Sequence, residues 1–229
     1  ADQVIEKGKV IAYHVLEASA GDIEFDKGDF TIGGTDRSVS IQEIAKIAHT
    51  PSKLPDGVEP GLSETSHFQT EAPTFPNGCH ICEVEIDPDT GFLEIIKYTV
   101  VDDVGVVVNP LTLKGQIHGG VVQGLGQVMM EDLVYDEQNG QLLTGSFMDY
   151  AMPRAEDFCL FEVAANEIPT QTNPIGAKGA GEAGTVGSIA CAMNAIMDAL
   201  KPLGIRHIDL PATPQKLWRA IQNARGSLN

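Results

Sequence analysis

The chain has 229 residues, 42% of them hydrophobic, which is enough for one large domain or two small ones with a real core. Its 32 acidic residues against 15 lysines and arginines leave a net charge of −17. That charge argues against nucleic acid, because phosphate binding needs clustered Lys and Arg; the acidity reads as a solubility device. No apolar run approaches the length of a membrane span, and Ala1-Asp2-Gln3-Val4 has neither the basic region nor the apolar core of a signal peptide.

Residues 1–18 read as a helix, with Val4, Ile5, Ile11, Val15 and Leu16 roughly in phase. The chain thus begins inside a helix and without an initiator methionine, so it is expected to be a piece of something longer. Ile23-Glu24-Phe25 and Phe30-Thr31-Ile32 flank Asp26-Lys27-Gly28-Asp29, a hairpin by its turn chemistry. A short helix follows, with Ser40 and Glu43 at capping-box spacing and Ile41, Ile44, Ala45 and Ala48 on its apolar face. Residues 51–78 carry Pro51, Pro55, Pro60, Pro73 and Pro76 and read as a long irregular segment crossing between two halves of a larger body. This organises the chain as a helical and hairpin lobe over 1–50, the crossing segment over 51–78, and an α+β lobe over 79–229.

In that lobe Cys82 to Asp87 alternates as a half-exposed strand, and Phe92 to Val101 and Val104 to Val108 are β-branched and continue the sheet. Asn109-Pro110 stops it. Leu113, Ile117, Val121 and Leu125 then define a helix over 111–133 that contains Gly115, Gly119, Gly120, Gly124 and Gly126. Each glycine costs about 1 kcal/mol against alanine in a helix interior. Five together imply close approach, either of another helix or of a ligand. Gln116, His118, Gln123 and Gln127 offer hydrogen-bonding groups on the same segment. A lone histidine beside glycines is a packed side chain more often than a ligand, so His118 is not a catalytic candidate.

Residues 133–135 and 142–143 flank a turn containing Asn139-Gly140, a second hairpin signal, and residues 158–165 alternate as a strand. A helix over 186–200 ends at Pro202 and Gly204. Residues 205–210 form a short strand or link. Thr213 caps a last helix with Pro214 at its first position, Leu217, Ala220, Ile221 and Ala224 on its buried face, and Trp218 at the edge. Of the cysteines Cys79, Cys82, Cys159 and Cys191, the first two have C-x-x-C spacing without a second pair, so structural thiols are expected rather than zinc.

The loop Gly176-Ala177-Lys178-Gly179-Ala180-Gly181-Glu182-Ala183-Gly184 runs straight into the 186–200 helix. Four glycines in nine residues suggest a tight loop against something. Glu182 sits just before a helix N-terminus, where free N–H groups favour negative charge. It is either a capping acid or a carboxylate held beside a ligand to move a proton. A nucleotide P-loop is a poor fit, because Lys178 is followed by Gly179 rather than Ser or Thr.

This loop resembles the active-site loop of the molybdenum hydroxylases, the xanthine dehydrogenase, aldehyde oxidase and aerobic carbon monoxide dehydrogenase family. Gly115-Gln116-Ile117-His118-Gly119-Gly120-Val121-Val122-Gln123-Gly124-Leu125-Gly126 is similar to a second segment of the same family, and the two occur in the family's order. The resemblance covers nearly the whole chain. It implies an α+β fold, mixed sheets packed with helices, as the C-terminal part of the molybdenum-binding region, with the two glycine segments converging on one edge. It implies that Glu182 is the catalytic base and that Gln116 contacts the pterin of a molybdopterin cofactor, in its cytosine dinucleotide form. The helix start, with Gly181, Gly184, Thr185 and Val186, is the implied phosphate-binding point; no residue of this chain is expected to ligate the metal. The implied reaction oxidises an aldehyde, an N-heteroaromatic or carbon monoxide with water as the oxygen source. The implied partners are the upstream half of the molybdenum subunit and iron–sulfur and flavin subunits carrying [2Fe-2S] and FAD, in a cytoplasmic setting, and the piece alone is expected to be inactive. The competing expectation is a non-catalytic acidic scaffold or binding module whose glycine loops serve packing only.

Overall fold

A computed structural model describes residues 1–70 and 72–226. The periodicities resolve into helices and two small sheets, divided between two units, Ala1–Gln69 and Thr70–Asn229. The fold is α+β, with helices packed on each sheet.

In the first unit α1 (Asp2–Leu16) precedes an antiparallel sheet of β1 (Ile23–Asp26), β2 (Asp29–Ile32) and β3 (Ser38–Ser40), followed by α2 (Ile41–Ala48). The β1–β2 turn takes φ of 48° at Lys27 and 97° at Gly28, the left-handed pair that matches strand twist. Ser40 caps α2 by accepting the Glu43 N–H at 3.3 Å. Gly8 of α1 is required by packing, since a Cβ there would lie 2.3 Å from the ring of the fully buried Phe30. The proline-bearing stretch after α2 does not leave this unit at once. Leu54, Val58 and Leu62 pack on its core, and Gly61 N–H donates to Ala48 O at 2.7 Å.

The second unit contains β4 (Asn77–Ile86), β5 (Leu93–Asp103), α3 (Pro110–Met129), β6 (Glu162–Ala165), α4 (Ala183–Leu200) and α5 (Pro214–Gly226). Strand β5 is central, antiparallel to β4 and parallel to β6. Its burial changes phase partway. Leu93 and Ile95 face the core, and so do Tyr98, Val100 and Asp102. The pairing explains the slip: Glu83 opposes Lys97 while Val84 opposes Ile95, leaving Ile96 as an extra residue in a bulge. One inserted residue returns the side chains beyond it to the same face. The polar end of the strand is thereby turned beneath the helices.

Helices α3 and α4 pack on each other and cover this sheet through Ile117, Val121, Leu125, Ala192, Ile196 and Leu200, all nearly fully buried. By length and composition α4 is apolar enough to cross a bilayer, but its Ala192, Ile196 and Leu200 face is buried in this core. Leu217 and Ile221 of α5 join it, with the Lys216 N–H on the Thr213 hydroxyl at 3.4 Å, while Trp218 lies at the edge against Gly91. Cys82, Cys159 and Cys191 pack against the same core, and burial pushes the Cys82 thiol up to about 12.

Three local expectations change. Residues 104–108 are not a strand: the ladder ends at Asp103, and Gly105 turns the chain with φ 67°. Asn109 does not merely stop the sheet but caps α3, its Oδ1 accepting from Leu111 N at 3.0 Å and Thr112 N at 3.2 Å, with Pro110 at the first helical position. The 133–143 hairpin is reduced to a single bridge between Tyr135 and Leu142.

Candidate active site

The two glycine segments meet. Gly120 and Gly124 of α3 face α4, where a Cβ on Gly120 would lie 3.0 Å from Thr185 N and one on Gly124 would lie 1.9 Å from Ser188 Oγ. Gly184 faces back, its missing Cβ 2.5 Å from Ile117 O. Thr185 Oγ1 donates to Gly120 O at 3.0 Å. Helix-on-helix contact therefore accounts for part of the glycine content of α3. Gly184 and Thr185, two of the residues expected at the cofactor, are engaged with α3 in this way.

The remaining glycines behave differently. At Gly115, Gly119, Gly179 and Gly181 a Cβ would meet nothing within 4 Å, and none has a left-handed φ. Neither packing nor backbone conformation within this chain requires glycine at these four positions. They leave open space where another body can come close to backbone. Gln116 belongs to this region: its Nε2 donates to Gly181 O at 2.7 Å, tying α3 to the residue before Glu182.

Glu182 occupies the N-cap position of α4 but makes no capping bond with its side chain. Its carbonyl accepts the Val186 N–H at 3.0 Å, so the helix start is fixed while the carboxylate is left exposed. It lines a cleft of about 520 Å³ together with Gly181 and Val186. Phe75, Pro76, Asn77 and Gly78, leading into β4, also line it, and so do His80 and Asp102 at its floor.

The floor is a polar network that the sequence pattern does not reveal. His80 on β4 opposes Val100, which puts its ring between Tyr98 and Asp102 on the neighbouring strand. Nδ1 lies 2.8 Å from the Tyr98 hydroxyl, and Nε2 lies 3.4 Å from Asp102 Oδ1. Burial drives the Tyr98 hydroxyl far above its ordinary pKa, with Cys191 nearby adding to the effect, so it stays a neutral donor. Asp102 Oδ2 is buried without a hydrogen-bond partner among the described residues. The network is fitted closely: a Cβ on Gly78 would collide with Asp102 Oδ1, and one on Gly187 would lie 2.5 Å from the His80 ring.

Asp103 points into a second cluster. Its Oδ1 accepts the N–H of Gly105 at 2.9 Å and of Ile168 at 3.2 Å. Its Oδ2 accepts from Lys178 Nζ at 2.5 Å and Asn77 Nδ2 at 3.4 Å. The Lys178 ammonium, helped by the Gly105 N–H, holds the Asp103 carboxyl at about 2. His118 is half-buried against Phe161, its Nε2 without a partner among the described residues; burial lowers its pKa and the Lys114 charge adds to this. Among the described residues no group of three or more His, Cys, Asp or Glu is placed to hold a metal ion.

A carboxylate on an open cleft, an amide at its neighbour and glycines that leave backbone bare suit a large planar or phosphorylated ligand better than a bare ion. Residues 1–159 match the molybdopterin cofactor-binding domain family. The nicotine 6-hydroxylase large subunit of Paenarthrobacter nicotinovorans is 42% identical over 219 residues, which are 95% of this chain and 27% of that protein. The structure of reconstituted CO dehydrogenase from Oligotropha carboxidovorans superposes with a TM-score of 0.88 at 33% identity, over 99% of this chain and 28% of that one. Quinoline 2-oxidoreductase from Pseudomonas putida 86 superposes with a TM-score of 0.85 at 32% identity, over 96% and 28%. The chain belongs to the molybdopterin cofactor-binding domain family, within the molybdenum hydroxylases, which are oxidoreductases. It spans a little over a quarter of the length of these relatives.

Sequence reasoning reached Glu182, Gln116, Gly181 and Val186, and these four lie together. It missed His80, Asp102 and Asp103, and it weighed Lys178 only as a phosphate ligand. The signal available for Asp102 and Asp103 was a pair of acids ending a β-branched strand.

Proposed function

We propose that this chain is the C-terminal portion of a molybdenum hydroxylase large subunit, and that it forms one wall of the site where an electron-poor carbon of an N-heteroaromatic ring is hydroxylated. The balanced change is Ar–H plus water giving Ar–OH, two electrons and two protons. The 42% identity to nicotine 6-hydroxylase large subunit, against 34% to the carbon monoxide dehydrogenase large chain of Afipia carboxidovorans, supports that substrate class. The molybdenum cofactor, when bound, supplies the two-electron oxidation with water as the oxygen source. The observation that carries the reading is Glu182, a carboxylate without a capping bond, beside a cleft and flanked by glycines with open space.

Glu182 would take up the proton released from the oxygen that attacks the ring, and the bond from Val186 N–H to its carbonyl holds the residue at the cleft. Gln116 keeps Gly181 in place and offers its remaining amide atoms to the pterin. Gly181 and Val186, which line the cleft, would border the ligand, and the helix start at Gly184 and Thr185 would offer backbone N–H groups to its phosphates. The cofactor is the cytosine dinucleotide form. Partner subunits carrying [2Fe-2S] and FAD would take up the electrons, and the rest of the molybdenum subunit would supply the other walls. The chain on its own has no turnover.

Metal and pterin analysis of the native assembly tests this directly. One molybdenum and one pterin per copy of this chain are expected. An intact assembly without molybdenum would contradict the proposal and favour a scaffold whose glycine segments serve packing only.

A further inference from the structure

Glu182 is separated from the nearest fixed element on its N-terminal side by Gly179, Ala180 and Gly181. A Cβ on either glycine would meet nothing within 4 Å, and neither residue stiffens the backbone. A base on such a loop needs anchors on both sides of the flexible stretch to hold its carboxylate within a few tenths of an ångström. The first anchor is Gln116 on Gly181. The second lies at Lys178, whose N–H donates to Val104 O at 2.8 Å and whose ammonium lies 2.5 Å from Asp103 Oδ2. Both side chains are largely buried, 13% exposed for Lys178 and 8% for Asp103.

Asp103 does more than hold Lys178. Through Oδ1 it fixes the turn at Gly105, which pairs with Ala177, and the approach segment at Ile168. Through Oδ2 it also accepts from Asn77, which lines the same cleft as Glu182. A single carboxylate at the end of β5 is thus bonded both to Asn77, which lines the cleft, and to Lys178 at the start of the loop that carries Glu182, while standing outside the set of residues that line the cleft.

We infer that Asp103 and Lys178 are a positioning pair that fixes the start of the Glu182 loop relative to the Asn77 segment of the cleft, and so the placement of the Glu182 carboxylate in it. The inference rests on the proposed role of Glu182 as base. A buried ammonium and carboxylate hold one geometry, because leaving either unpaired is strongly unfavourable, whereas an exposed pair would hold the loop loosely. Misplacing a catalytic group by about 1 Å costs about a hundredfold in rate.

The test uses the assembled holoenzyme with molybdenum measured in every sample. Lys178→Met keeps the length of the side chain and removes its charge. It is expected to lower kcat by tenfold to a hundredfold (about the range for a misplaced base), with KM within about twofold and molybdenum per chain unchanged. Lys178→Arg should restore kcat to within about threefold, since it restores the charge-assisted bond. Asp103→Asn, which keeps acceptors for Gly105 and Ile168, should resemble Lys178→Met. Hydrogen exchange over residues 176–184 supplies a reading free of turnover: amides there should exchange at least about tenfold faster in Lys178→Met, as a loop released at one end does. Unchanged kcat and unchanged exchange in Lys178→Met, or a loss of kcat that follows molybdenum content, overturns the inference. Glu182→Gln run alongside separates the two ideas. Retained turnover there defeats the base assignment, while the exchange result still judges the clamp.

Discussion

At the scale of single residues the second unit concentrates its buried charge at the end of β5, where Asp102 and Asp103 point to opposite sides of one strand. Asp103 is the better satisfied, and that has a consequence for acid stability. Its carboxyl is held at about 2 by Lys178 and two backbone N–H groups, against 3.8 for the free group. A depressed folded value means that the stabilisation is complete above the unfolded value and is lost as pH falls from about 4 towards 2. Stability should therefore drop across that window in the natural protein and drop less steeply in Asp103→Asn, as read from urea midpoints at pH 5, 4, 3 and 2. Parallel curves for the two proteins would contradict the pairing. None of this was legible in the sequence. An acid at a strand end has the same local signature whether it is solvated or buried, and the partner that decides, Lys178, is 75 residues away. Glu182 and Gln116 stand out in the sequence because each sits in a run of glycines with a specific order.

At the scale of elements the glycines of α3 divide by face. Gly120 and Gly124 admit α4, whereas Gly115 and Gly119 border open space. Alanine at the two faces should therefore have opposite effects. Gly124→Ala forces a methyl onto Ser188 and should cost about 1–3 kcal/mol, the range for overpacking. Gly119→Ala meets nothing within this chain and should gain up to about 1 kcal/mol from helix propensity. Denaturant unfolding of the purified protein checks both, and molybdenum content checks the second further: a ligand against that backbone predicts that Gly119→Ala loses cofactor while gaining stability. From the sequence, close approach of a helix and close approach of a ligand were equal explanations of five glycines. The structure sets Gly120 and Gly124 against α4, Gly126 against Pro153 and Glu131, and Gly115 and Gly119 at open space, a division that periodicity cannot make. The bulge at Ile96 was also hidden, because one extra residue in a β-branched run leaves composition unchanged while it resets the face of Tyr98, Val100 and Asp102.

At the scale of the whole molecule the fold class followed from patterning. Alternating strands, helical stripes and capped termini all pointed to α+β, and Ser40, Pro110 and Thr213 lie at helix starts for the local reasons their chemistry gives. The irregular stretch after α2 was harder to place, since prolines mark a break without saying which core receives Leu54, Val58 and Leu62. The cleft draws every lining residue from the second unit, so the candidate site does not depend on the arrangement of the two units. The chain nonetheless covers about 28% of the structures it resembles, and the proposed chemistry belongs to the larger subunit. The claim that ties these scales together is that Glu182 is the base. Its most direct test is kcat of Glu182→Gln in the assembled enzyme at molybdenum content matched to the natural protein. General base catalysis contributes about a hundredfold to ten-thousandfold, so a loss of at least a hundredfold with normal molybdenum is expected. Turnover within a few-fold of the natural enzyme at the same molybdenum content would contradict the account.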